Sequence, residues 1–237
     1  RQISRRNLLQ GLDTFGNQFD SHESLNNAII SREKAYELIL GDAGKVFNLN
    51  QEYEKVRDAY GRNSFGQSCL AARRLVEIGT PAITINFQGW DTHKNHFSHM
   101  KTKLPQLDQG LATLIHDLKV RGLLESTLVW CSGEFGRKPK IQQLPPWNGG
   151  RSHFGHAFSG LLAGGGIQGG RVVGSTDKKG MSVTDRPVYP WDMTSTIYRQ
   201  FGFDINTKLS HPQGHQLPLI PLADGKHTHV SPLNELI

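Results

Sequence analysis

Between Gln67 and Cys131 the apolar pattern changes period three times, and this alternation limits the fold more than any other feature of the chain. Cys69, Leu70, Leu75, Val76 and Ile78 recur at helical spacing, with Gly79 as a left-handed stop. Ala82-Ile83-Thr84-Ile85-Asn86-Phe87 is β-rich, lies between Pro81 and Gly89, and predicts a strand. Leu104, Leu107, Leu111, Leu114, Ile115 and Leu118 then form one apolar stripe ended by Gly122. Thr127-Leu128-Val129-Trp130-Cys131 predicts a second strand, apolar on both faces as in a buried parallel sheet. Helix–strand–helix–strand order predicts an α/β fold, a mostly parallel sheet flanked by helices.

The flanks carry weaker signals. Residues 1–60 read as a helical lead-in, with helices over Ser31–Leu40 and Asn50–Tyr60. Ser4-Arg5-Arg6-Asn7-Leu8-Leu9 is similar to a twin-arginine export motif. Gly11-Leu12-Asp13-Thr14 stands where an apolar segment should follow, so these residues read as a basic helix start. Residues 136–157 predict a long polar loop. Further strands are predicted near Phe158–Leu162 and Arg171–Gly174. Asp192 predicts the cap of a helix carrying Met193, Ile197, Tyr198 and Phe201, stopped by Gly202. Residues 205–237 read as an irregular, proline-rich tail. With neither repeat nor clear linker, a single domain over 1–237 is expected.

Composition narrows the function classes. Of 237 residues, 36 % are hydrophobic, enough for a sizeable core and too many for a disordered chain. No run approaches the roughly 18 apolar residues that span a bilayer. The net charge is 27 − 21 = +6. The basic residues are scattered, without a stripe interleaved with aromatics, so nucleic acid is not an expected partner. Cys69 and Cys131 are isolated within apolar runs and read as two buried thiols, neither a disulfide nor a thiolate metal site.

In open α/β sheets ligands bind beyond the carboxyl ends of the strands. By that rule Asp91, His93, Glu134, Arg137 and His153 converge on one rim. Asp91 and His93 are two apart, and in extended chain such residues point the same way. A carboxylate and an imidazole on one side suit zinc or manganese. Two readings stand equal here: a ligand pair, or an Asx-turn residue with a first-turn histidine. Glu134 alone reads rather as a cap or salt-bridge partner. His96, His99 and His116 read as a solvated helix face, and His227 and His229 as a solvated tail. Ala163-Gly164-Gly165-Gly166 reads as a tight turn, since no helix follows to cradle a nucleotide.

Four separated motifs recur here in a familiar order. They are Gly89-Trp90-Asp91-Thr92-His93, Gly133-Glu134-Phe135-Gly136-Arg137, Gly150-Arg151-Ser152-His153 and Leu162-Ala163-Gly164-Gly165-Gly166-Ile167. The succession resembles the bacterial group called domain of unknown function 1501, in the sulfatase-like corner of the alkaline phosphatase superfamily. The segments Gly170–Gly174 and Asp192–Phe203 are similar to the closing part of sulfatases. The resemblance implies one or two divalent ions (Zn, Mn, Ca or Mg) held by Asp91, His93, Glu134 and His153. It implies hydrolysis of phosphate or sulfate esters of small molecules or glycans. Arg137 would receive the tetrahedral oxyanion, and His156 would give a proton to the leaving group. The first strand and the nucleophile would lie upstream of Arg1, and the location would be periplasmic or exported. The pattern departs at Asn95, where a histidine is usual, at Phe135, and at Ser152, where the closer family usually has Asp. The alternative from a different class is a non-catalytic binding module for anionic glycans or a protein partner on the same fold.

Overall fold

The computed structural model describes residues 2–16, 29–30, 32–33, 36, 42–222, 225 and 229–237. The chain, expected as one domain, forms two compact units, residues 1–85 and 86–237. Mixed helices and short strands make up both predicted classes of element, as an α/β chain requires in the broad sense.

In the first unit α1 (Gln2–Gly16) carries the Arg5-Arg6 pair inside a helix. Two 3₁₀ turns, Asp42–Phe47 and Leu49–Gln51, precede α2 (Glu54–Tyr60) and α3 (Ser64–Glu77). The helix expected over Asn50–Tyr60 thus begins at Glu54, and the one expected over Ser31–Leu40 lies largely outside the described residues. Asn63 caps α3 by accepting the Gly66 N–H at 3.0 Å. Tyr60, Phe65, Cys69 and Leu70 are buried together with the stem of Arg73. A two-acid clamp neutralises that arginine: Glu52 lies 2.8 Å from it and Glu77 2.7 Å. Arg74 also holds Glu52, at 2.6 Å, and donates to the carbonyls of Val46 and Lys45. Burial works to raise the Glu52 carboxyl, but hydrogen bonds from Arg73 and Arg74 outweigh it and hold the group below its ordinary value.

In the second unit an extended stretch leads into α4 (His96–Val120). Residues 82–87, expected as a strand, have no ladder partner among the described residues. A β-branched run fits a pleated surface rather than creating one, so it stays extended and unpaired. Helix α4 begins eight residues before the predicted stripe and runs through Pro105. Leu114 and Leu118 of that stripe are buried, whereas Leu104 is exposed.

The strands are β1 (Val129–Ser132), β2 (Gly136–Arg137), β3 (His153–Phe154) and β4 (Gly160–Ala163), followed by β5 (Ser175–Thr176), β6 (Val183–Asp185), β7 (Lys208–Ser210) and β8 (Gln216–Pro218). They pair β1–β4, β2–β3, β5–β6 and β7–β8, all antiparallel. This corrects the expected parallel sheet among the described residues. A parallel pair needs a crossover, usually helical, and residues 133–159 contain no helix. The chain instead returns as one long hairpin, with β2–β3 nested inside β1–β4. Nor is β1 apolar on two buried faces: Trp130 and Ser132 are exposed. The strand expected at Arg171–Gly174 falls instead at Ser175–Thr176. Three successive left-handed glycines, Gly164 (φ 72°), Gly165 (φ 57°) and Gly166 (φ 81°), make the tight turn after β4.

Helix α5 (Pro190–Gln200) starts one turn earlier than a cap at Asp192 would give. Asp192 acts from within the first turn. Its buried carboxylate accepts the Tyr189 N–H at 3.1 Å and the Ser231 N–H at 2.7 Å. Thr196 accepts the Leu233 N–H at 2.8 Å, so the tail is bound along this helix and Leu233 is buried. The tail is therefore not wholly irregular: it holds the β7–β8 hairpin and a docked end. Among the described residues no helix is long and apolar enough to cross a membrane.

Candidate metal centre

Three side chains from two segments aim at one point. Asp91 and His93 leave the loop that precedes α4, and His153 leaves β3. The Asp91 Oδ1–His153 Nε2 distance is 2.8 Å, Asp91 Oδ1–His93 Nε2 is 3.0 Å, and His93 Nε2–His153 Nε2 is 3.2 Å. These are the groups among the described residues arranged to hold a metal ion. Arg137 Nη1 donates to the same Asp91 oxygen at 2.9 Å.

The local backbone explains the convergence. Arg137 and His153 are directly opposed in the β2–β3 pair, so their side chains leave one face of the ribbon. Lys138 N–H donates to the Ser152 carbonyl and continues the pairing. Ser152 donates to the Gln142 side chain at 3.1 Å. Between Asp91 and His93, Thr92 turns inward and is buried, which leaves its two neighbours facing out together. The Arg151 N–H donates to the Thr92 carbonyl at 3.2 Å, and the Asn95 N–H to the Trp147 carbonyl at 3.1 Å. Gly150 lies so close to this loop that a Cβ there would stand 1.8 Å from the His93 carbonyl oxygen.

The donor set fits a divalent ion. Ligand atoms on a tetrahedral ion at about 2.0–2.1 Å stand about 3.3 Å apart. Adjacent ligands on an octahedral ion at about 2.1 Å stand about 3.0 Å apart. The observed edges, 2.8 to 3.2 Å, enclose the octahedral value and fall just short of the tetrahedral one. A proton arrangement cannot satisfy the triangle. With both Nε2 atoms protonated, two N–H groups face each other. With one protonated, the bare nitrogen faces the carboxylate oxygen. A cation at the centre removes the conflict. Contacts with His153 and then Arg137 hold the Asp91 carboxyl below its usual range, and with the His153 Nε2 turned to an ion Arg137 would still favour the ionised form that a ligand needs.

The structure does not bring the remaining candidates into this group. Glu134 is exposed, with no hydrogen bond or ion pair among the described residues; its neighbour Phe135 lies against the His153 ring at 4.3 Å. His156 packs on Phe154 at 5.3 Å, and Phe154 leaves β3 on the face opposite to His153. His99 and His116 are exposed, as expected, and His229 likewise; His227 lies outside the described residues. His96 corrects the expected solvated face. It is 8 % exposed, and its Nδ1 lies 2.6 Å from Thr92 Oγ1. No periodic signal could have marked it, because its partner is a loop residue.

Burial, with the charges of Arg151, Arg137 and His99 adding, lowers the His96 pKa from its ordinary value. The unfolded imidazole titrates near about 6.5 and the folded one lower, so the unfolded state binds the proton first. The stability His96 contributes is whole above about pH 6.5 and declines as the pH falls toward the folded value. Melting curves taken between about pH 7 and pH 5 are expected to fall more steeply for the wild type than for His96→Asn.

The geometry thus defines an open, carboxylate-and-imidazole site with a guanidinium beside it, on a unit of helices and short antiparallel strands. The chain belongs to the family described as Protein of unknown function (DUF1501), which it matches over residues 1–230. Comparisons with curated proteins and with solved structures returned no match.

Proposed function

We propose that the chain forms the metal-binding part of a hydrolase acting on phosphate or sulfate esters, with Asp91, His93 and His153 holding one divalent ion. The observation that carries this is the convergence of those three ligand atoms. Two imidazoles and one carboxylate favour zinc or manganese over calcium and magnesium, which prefer all-oxygen sites. A bound ion would neutralise ester oxygens and lower the pKa of a water toward about 7.

Arg137 supplies the second element. Its Nη1 holds Asp91, while its Nε and Nη2 are buried with no hydrogen-bond partner. Buried donors without partners are costly, and an ester oxyanion would satisfy them in a planar, charge-assisted fork. In this reading Arg137 touches substrate and orients Asp91 at once. Glu134 and His156 are not required, and no nucleophile is assigned among the described residues. The sulfatase-like ancestry, and with it an exported location, rests on the order of the four motifs.

Metal analysis of the full chain tests this reading. The wild type is expected to retain about one zinc or manganese ion, lost in Asp91→Ala and His153→Ala and kept in Glu134→Ala. Unchanged content in the first two variants would sink the site. A second reading has its own observation. The Asp91 side chain is 68 % exposed and that of His153 51 %, an open site rather than the concave pocket usual for small ligands. That favours a module binding an anionic glycan without turnover. Saturable binding of a sulfated glycan, with no hydrolysis of phosphate or sulfate monoesters by the metal-loaded protein, would select it.

A further inference from the structure

We propose that His96 is the positioning residue of this site and acts through Thr92; the role as a metal centre rests on the reading above. Thr92 sits between Asp91 and His93 in sequence, so its orientation fixes theirs. It is 5 % exposed, and His96, in the first turn of α4, is 8 % exposed. The 2.6 Å contact between Thr92 Oγ1 and His96 Nδ1 is one hydrogen bond, its direction set by the imidazole tautomer. The Phe97 ring meets the His96 ring edge-on at 5.3 Å and limits its rotation. The Arg151 N–H clasps the Thr92 carbonyl, so side chain and backbone of one residue are held at once.

The consequence is mechanical. Asp91 projects into solvent, and its bonds to Arg137 and His153 engage the carboxylate rather than the backbone. The anchor lies one residue away, on the opposite side of the chain. Without it the loop would have to be ordered at the moment an ion binds, and that entropy would be subtracted from affinity. Groups that orient metal ligands from behind are worth about 10–100-fold in metal affinity. His96 itself is no ligand, because its Nδ1 is engaged with Thr92 and it is buried beneath the loop.

Two readouts on the full chain test this. One is zinc affinity, measured by competition with a chromophoric chelator. The other is amide hydrogen exchange of Asn95 and Arg151 in metal-free protein, which reports the loop without reference to any ion. Thr92→Val and His96→Ala are expected to weaken zinc binding about 10–100-fold and to speed exchange at both amides. Thr92→Ser and His96→Asn, which keep a hydrogen-bonding atom in place, are expected to restore both. His93→Ala is expected to lose zinc while leaving the exchange unchanged. Wild-type exchange in folded Thr92→Val and His96→Ala would overturn the proposal. So would exchange that rises equally along α4 and β1, since that marks general loosening. If the wild type binds no zinc, the metal reading fails alone and the exchange comparison still decides the role of His96.

Discussion

Gly150→Ala is expected to dismantle the candidate site while sparing the rest of the chain. A Cβ at this position would lie 1.8 Å from the His93 carbonyl oxygen and 2.5 Å from its carbon, so backbone must move. The obstacle is main chain rather than the end of a flexible side chain, and rotamer changes cannot relieve it. Separating the two loops would break the Asn95–Trp147 and Arg151–Thr92 backbone hydrogen bonds. Overpacking and two lost bonds together are expected to cost about 3 kcal/mol or more. Zinc affinity should fall with it, because His153 follows Gly150 by three residues and would shift away from Asp91. Gly155 is the internal control, because a methyl group added there would meet nothing within 4 Å. Urea unfolding and chelator competition on Gly150→Ala and Gly155→Ala check this; equal values for the two would refute it.

Glu52→Ala is expected to give the largest loss of stability in the first unit. Glu52 faces Arg73, of which 2 % is exposed, and Arg74 as well. Removing the carboxylate takes one of two acids from a buried guanidinium and leaves a second guanidinium without its acid. Breaking a buried pair from one side costs about 3–5 kcal/mol, and the surviving Glu77 contact places this case near the lower end. The exposed Glu54–Arg62 pair provides the contrast, since water screens a surface pair and leaves it little net contribution. Urea midpoints of Glu52→Ala and Glu54→Ala separate the two; a small effect at Glu52 would mean that Arg73 is solvated.

What could be read directly was local. The helix stops at Gly61, Gly79, Gly122 and Gly202 all lie in the left-handed region, with φ from 70° to 89°. A glycine at the end of an apolar stripe signals its own conformation, so α2, α3, α4 and α5 end where the pattern says. Asp91 and His93 were legible as a pair because two-residue spacing in extended chain is itself geometry. Arg137 and His153 were named, but nothing in a two-residue strand announces which residue it will oppose.

The sequence by itself determined the ends of the helices and the residue types available at 91, 93, 137 and 153. Those follow from backbone preferences and apolar period, properties of a few neighbouring residues. Only the tertiary structure decided that β1 and β4 run antiparallel, that Arg137 faces His153, and that His96 is buried under Thr92 rather than solvated. Each depends on which distant segment comes to lie alongside, and in 82–87 the same strand-forming residues, without such a neighbour, remain unpaired. The physical reason is that a side chain's role is fixed by what desolvates it and bonds to it, and at this site those partners are as many as 62 residues away.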